Sequence, residues 1–116
     1  FYNFDKIVEY DPISDNIQIK AATLPSSQIG AVSCVLNSIT NKINCFGGYD
    51  STSGSLRLSN KISEYDPSTD TITLKNDVLP IGIANPSCSF NSLTGNFYCF
   101  GGQSPRRMNT VIEYRP

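Results

Sequence analysis

Four cysteines carry the most distinctive chemistry in this chain of 116 residues. Cys34 and Cys45 are eleven residues apart, Cys88 and Cys99 repeat that spacing, and each member of the second pair follows its counterpart by 54 residues (88 − 34 and 99 − 45). Disulfides, buried thiols and a thiolate metal site compete for them. The metal site fits worst, because a spacing of eleven lacks the tight Cys-x-x-Cys chelate and the chain has no histidine to complete a ligand set. In an antiparallel hairpin turning near Ile39-Thr40, Leu36 faces Ile43, Val35 faces Asn44 and Cys34 faces Cys45; Cys88 then faces Cys99 in the copy. Opposed residues of this kind approach to about 4.5–5.5 Å between Cα atoms, within reach of a disulfide. Two hairpin disulfides are the expectation, with four buried thiols as small core residues the alternative. Bridges would place the chain in an oxidising compartment, extracellular or at the cell surface.

The remaining side chains offer little catalysis. A chain without histidine has no Ser-His-Asp or Cys-His machinery and lacks the usual general base near neutral pH. Glu9, Glu64 and Glu113 recur on scaffold strands, so they read as architecture and not as a converging carboxylate pair. Nine Lys+Arg against ten Asp+Glu give a net charge of −1, which argues against a nucleic-acid groove or a basic membrane-binding face. No apolar run approaches the roughly 20 residues of a membrane span. No cofactor or metal is expected, and no glycosylation sequon occurs, Asn85-Pro86-Ser87 being excluded by its proline. The chain opens Phe1-Tyr2-Asn3-Phe4 without an initiator Met or a signal-peptide pattern, as a processed secreted protein or a fragment would.

The elements that position the cysteines are duplicated. Lys6-Ile7-Val8-Glu9-Tyr10-Asp11-Pro12 returns as Lys61-Ile62-Ser63-Glu64-Tyr65-Asp66-Pro67, and Leu24-Pro25 as Leu79-Pro80, at an offset of 55. Cys45-Phe46-Gly47-Gly48 returns as Cys99-Phe100-Gly101-Gly102 at an offset of 54, one residue having been lost between Pro80 and Cys88. About half of the aligned positions are identical. A third, incomplete copy follows as Val111-Ile112-Glu113-Tyr114-Arg115-Pro116. Each unit reads as short strands: Ile7–Tyr10 stopped by Asp-Pro, then Ile17-Gln18-Ile19 or Thr71–Leu74 with β-branched alternation, then the two strands of the cysteine hairpin. Asn37–Asn41 and Asn91–Gly95 supply the turns. No segment holds helical spacing beyond two turns. Four antiparallel strands per ~50 residues is the arithmetic of a β-propeller blade.

Gly-Gly after an apolar strand, Glu-Tyr-Asp-Pro after a variable loop and a polar turn beyond it resemble the Kelch repeat over nearly the whole chain. Ile17 and Ile72 stand where that family usually places Trp, and an apolar residue there still packs between blades. The Gly47-Gly48 and Gly101-Gly102 pairs are expected to take positive φ and admit a neighbouring backbone; the rival, a phosphate-cradling loop, needs a following helix that is not predicted. Tyr10, Tyr65 and Tyr114 recur in register and read as inter-blade packing residues whose hydroxyls need partners; stacking on a ligand is the alternative.

The fold class is thus all-β, with Kelch-like blades of four antiparallel strands. By strand count, residues 1–29 supply the outer half of one blade, 30–75 a full blade and 76–116 three strands of another. A propeller needs at least about four blades to close, so a longer chain or oligomerisation must complete it. The resemblance implies that function sits on loops of one face. The first such loop, with Tyr49, Asp50 and Arg57, is long (16 residues from Gly48 to Glu64); the second, with Gln103, Arg106 and Arg107, is short (11 from Gly102 to Glu113). Both are candidate binding loops, solvated loops without a ligand being the alternative. The functional expectation is a non-catalytic extracellular module for protein–protein interaction or self-assembly, as ring or filament. Two readings stand beside it: a lectin made from oligomerised blades, whose glycan binding would depend on Tyr49 or Arg57, and a segment of a larger propeller such as an intracellular adaptor.

Overall fold

The computed structural model describes residues 5–116, and every regular element in it is a strand. Phe1–Phe4, the start of the first expected unit, lies outside the described residues. Strands β1 (Lys6–Asp11) and β2 (Asn16–Thr23) form a hairpin. A four-stranded antiparallel sheet follows, with β3 (Ser33–Asn37), β4 (Lys42–Phe46), β7 (Lys61–Asp66) and β8 (Thr71–Val78) in the order β3-β4-β7-β8. The next sheet repeats that plan with three strands, β9 (Ser87–Asn91), β10 (Asn96–Phe100) and β13 (Val111–Tyr114). The two long loops are not wholly irregular. Each holds a small two-stranded ribbon, β5 (Tyr49–Asp50) with β6 (Arg57–Leu58), and β11 (Gln103–Ser104) with β12 (Arg106–Arg107). The result is an all-β partial propeller that is not closed, with one complete blade flanked by two incomplete ones.

Local chemistry explains the turns. The Asn37 carboxamide oxygen accepts from the amides of Ile39 (3.0 Å) and Thr40 (3.2 Å), and Asn91 does the same for Leu93 (2.9 Å). The turns end on Asn41 (φ 60°) and Gly95 (φ 78°), the left-handed position a short hairpin needs. The register is the one the hairpin arithmetic required: Leu36 opposes Ile43, Val35 opposes Asn44, Cys34 opposes Cys45 and Cys88 opposes Cys99. Both cysteine pairs are disulfide-bonded, with Cα atoms 4.0 Å apart, and no cysteine among the described residues is free.

The core lies between the complete blade and the one that follows it. Phe46, Ile62, Leu79, Ile83, Phe97 and Tyr114 are buried together there. The Phe46 ring meets Phe97 at 5.3 Å in a tilted pair and Tyr114 at 5.9 Å edge-on, both favourable arrangements for aromatic quadrupoles. Gly47 (φ 74°) and Gly48 (φ 98°) close this junction, where the Gly48 amide donates to the Ile83 carbonyl at 2.8 Å. A Cβ on Gly47 would overlap that same carbonyl oxygen, so glycine is required by both backbone angle and backbone approach. Gly101 (φ 62°) and Gly102 (φ 98°) take the same conformation in the copy.

Candidate functional site

On the other side of the complete blade, the hairpin β1–β2 covers only part of the sheet. A cleft of about 470 Å³ remains between them. Ile7 stands on one wall, Ile43, Tyr65 and Ile72 on the other, with the Cys34–Cys45 bridge beside them. Charge is confined to Lys6, Glu9 and Lys20, and the Lys20 ammonium lies 3.7 Å from the Glu9 carboxylate. An apolar cleft with charges paired at its edge suits a hydrophobic side chain of a partner better than a small polar ligand.

The recurring tyrosines divide. Tyr65 is buried and its hydroxyl donates to Asp70 Oδ1 at 2.9 Å; the other Asp70 oxygen accepts from the Ala21 amide at 3.0 Å, linking β2 to the complete blade. Tyr114 is buried in the core. Tyr10 departs from the expected inter-blade packing. Its hydroxyl finds the equivalent partner, Asp15 Oδ1 at 2.9 Å, but the residue is 55% exposed because no described sheet stands against its face. Ile17, one of the two isoleucines at the usual Trp position, is exposed for the same reason, whereas Ile72 is half-buried in the cleft wall. Burial, reinforced by the bond to Asp70, pushes the Tyr65 phenol up to about 12. The same bond holds the Asp70 carboxyl below its ordinary value.

The recurring glutamates serve the scaffold. Glu64 lies 3.9 Å from both Lys42 and Lys75, across the strands on either side of β7. Glu113 accepts from the Tyr98 hydroxyl at 2.9 Å and the Asn96 amide at 3.2 Å, bonds that pair β13 to β10; the Tyr98 bond, then the nearby Arg115, holds its carboxyl low. Neither arrangement brings two carboxylates onto one reacting centre.

The candidate loop residues sit on the two ribbons. Asp50 pairs with Arg57 and Tyr49 with Leu58 in backbone register; Gln103 pairs with Arg107 and Ser104 with Arg106. The Asp50 carboxylate accepts from the amide and hydroxyl of Thr52, and those bonds, with Lys61 and Arg57 nearby, lower its pKa. Each ribbon is anchored to the segment preceding its blade's first strand, Tyr49 to Ile29 and Gln103 to Ala84. The ribbons therefore occupy the same rim of consecutive blades. Tyr49 and Asp50 are half-buried there, while Arg57, Gln103 and Arg106 are exposed. The Arg107 side chain lies outside the described residues.

Gln28 is a structural residue that the repeat did not reveal. Fully buried, it donates from Nε2 to the carbonyls of Cys45 (2.8 Å) and Lys61 (2.9 Å), clamping β4 to β7 beside Gly47. Its counterpart falls near the one-residue deletion, where the two copies stop aligning, so duplication carried no signal for it.

Among the described residues no helix is long and apolar enough to cross a membrane. No curated protein matches the chain. Residues 31–71, which run from the start of the first cysteine hairpin through β7 to the first residue of β8, match the model of the Kelch motif. The Gly47-Gly48 junction and the Glu64-Tyr65-Asp66-Pro67 strand end placed above both lie within that match.

Proposed function

We propose that this chain is a non-catalytic, extracellular interaction module that acts by covering its open blade faces with protein, in the first instance with further copies of itself. The observation that carries this reading is the apolar surface exposed on the described sheets. Val8, Tyr10, Ile17 and Ile19 are exposed on the β1–β2 hairpin, and Phe100 and Val111 on the outer face of the last sheet. Burying such a side chain is worth about 1.5–3 kcal/mol, so a second surface has a strong incentive to meet them. The disulfides support an oxidising setting, where hairpins of this size gain from a covalent clip.

Light scattering on the oxidised chain tests the reading. The expected mass is an integer multiple of 12.7 kDa. A lone monomer at every concentration overturns self-association. Four free thiols in the native protein overturn the extracellular assignment in favour of an intracellular adaptor segment.

A further inference from the structure

The two cysteine hairpins are near-copies, but the residue beside each bridge differs. In the complete blade Cys34 opposes Cys45, Cys45 opposes Ser63 and Ser63 opposes Leu74, so one row of side chains crosses all four strands on a single face. In the next sheet the row is Cys88, Cys99 and Ile112. Val8 holds the same place in β1. A hydroxyl therefore stands beside the first bridge where the other two copies of this strand carry a branched aliphatic side chain.

That hydroxyl is unspent. Ser63 is fully buried, and its Oγ has no hydrogen-bond partner among the described residues. The hydroxyl of Tyr65, two residues along the same face of β7, is committed to Asp70. Cys45 is buried beside Ser63 as well. A disulfide sulfur accepts hydrogen bonds weakly and donates none. A thiolate accepts strongly, and a thiol can donate its own proton to the serine oxygen. A buried hydroxyl without a partner is costly, so Ser63 gains a bond when the bridge opens and lacks one while it is closed. Ile112 gives Cys99 no such gain.

We propose that Cys34–Cys45 is a redox-responsive bridge, poised by Ser63 to open under milder reducing conditions than Cys88–Cys99. The reductant it takes is a dithiol. One thiolate of the dithiol attacks Cys34 Sγ and forms a mixed disulfide there, while the bridge breaks and Cys45 Sγ leaves with the electron pair. The Ser63 hydroxyl donates to that leaving thiolate, and a stabilised leaving thiolate both speeds the exchange and favours the reduced state. The second thiolate of the dithiol then attacks its own sulfur in the mixed disulfide and releases Cys34 as a thiolate. The dithiol ends as a disulfide, its two electrons rest on Cys34 and Cys45, and these take up protons from solvent according to pH. Strand β3 is then held to β4 by the ladder and by packing, while the second hairpin stays sealed. Redox state therefore acts on the complete blade selectively.

A redox titration of the whole chain tests this. The oxidised protein is equilibrated with mixtures of reduced and oxidised dithiothreitol, its free thiols are alkylated, and peptide masses report each bridge separately. Cys34–Cys45 is expected to be half-reduced at a ratio of reduced to oxidised dithiothreitol about tenfold lower than Cys88–Cys99, equivalent to about 30 mV for a two-electron couple. Ser63→Ala is expected to close most of that gap by moving the first bridge alone, with the second bridge as the control in the same molecule. Ser63→Thr, which keeps the hydroxyl, is expected to preserve the gap. Both bridges opening together, Cys88–Cys99 opening first, or a gap that Ser63→Ala leaves in place overturns the proposal. A gap lost equally in Ser63→Ala and Ser63→Thr assigns the difference to packing and overturns the role of the hydroxyl.

Discussion

Between the complete blade and the sheet after it, Phe46 is fully buried against Phe97 and Tyr114. Between the same blade and the hairpin before it, Ile43 and Tyr65 occupy the corresponding wall, and a cleft stands where an aromatic would be. The repeat supplies a tyrosine and a large apolar residue to both junctions, Tyr114 with Phe97 and Tyr65 with Ile43. What differs is the presence of a first strand pair in the neighbouring blade, because that pair carries the phenylalanine. A strand's sequence therefore does not decide whether its apolar face is core; the neighbour does. Phe46 and Phe100 are the same position of one repeat, and they are 0% and 44% exposed.

The sharpest way to break this comparison is to truncate both members. Phe46→Ala should destabilise the chain by about 3–5 kcal/mol through lost burial and a cavity. Phe100→Ala should cost under about 1 kcal/mol in the monomer, measured by urea unfolding at low concentration. Equal losses would mean that Phe100 is already covered. Next in size is Gly47→Ala, which forces a Cβ onto the Ile83 carbonyl at a left-handed φ and should cost roughly 2–4 kcal/mol in the same assay.

The disulfides rank third. Replacing Cys88 and Cys99 by alanine should lower stability by roughly 2.5–3 kcal/mol, the loop-entropy value for a closure of this length. Replacing Cys34 and Cys45 should cost a similar amount, since both bridges close the same separation of 11. A large inequality in thermal unfolding would show that the two hairpins do not unfold as equivalent units.

The smallest effect separates the tyrosines. Tyr65→Phe should cost about 1 kcal/mol for its hydrogen bond, and Tyr10→Phe should leave stability unchanged. The two also differ with pH. The Tyr65 phenol has its pKa raised by folding, to about 12 against the ordinary 10, so the folded state holds the proton more tightly. That contribution is complete below about pH 10 and is lost as pH rises from there toward 12. The difference in stability between the wild type and Tyr65→Phe should shrink across this window, as read by denaturant titration at successive pH values.

The strand order and cysteine register were legible in the sequence because both follow from repetition: an index sum fixes who opposes whom, and a repeated motif fixes blade membership. The exposure of Tyr10 and Ile17 was not, since packing depends on a sheet facing them and not on their own strand. The ribbons within the variable loops escaped for a related reason. Two-residue strands such as Tyr49–Asp50 carry no alternation to detect, and they are held by bonds to Ile29, a contact distant in sequence. Gln28 had neither repetition nor a motif to announce it, although it ties two strands of the complete blade.

The bridges also determine how a chain made of near-copies avoids confusing them. A cysteine in one unit meets its native partner 11 residues away, whereas the equivalent cysteine of the other unit is 54 residues away. Closing the longer loop costs about 1.4 kcal/mol more in chain entropy, roughly a tenfold bias toward the local partner. The Cys34–Cys45 hairpin can therefore be sealed as it emerges during synthesis, before its twin exists. Sequence proximity and hairpin register together favour the local partner, and among the described residues the junctions between blades carry no covalent tie.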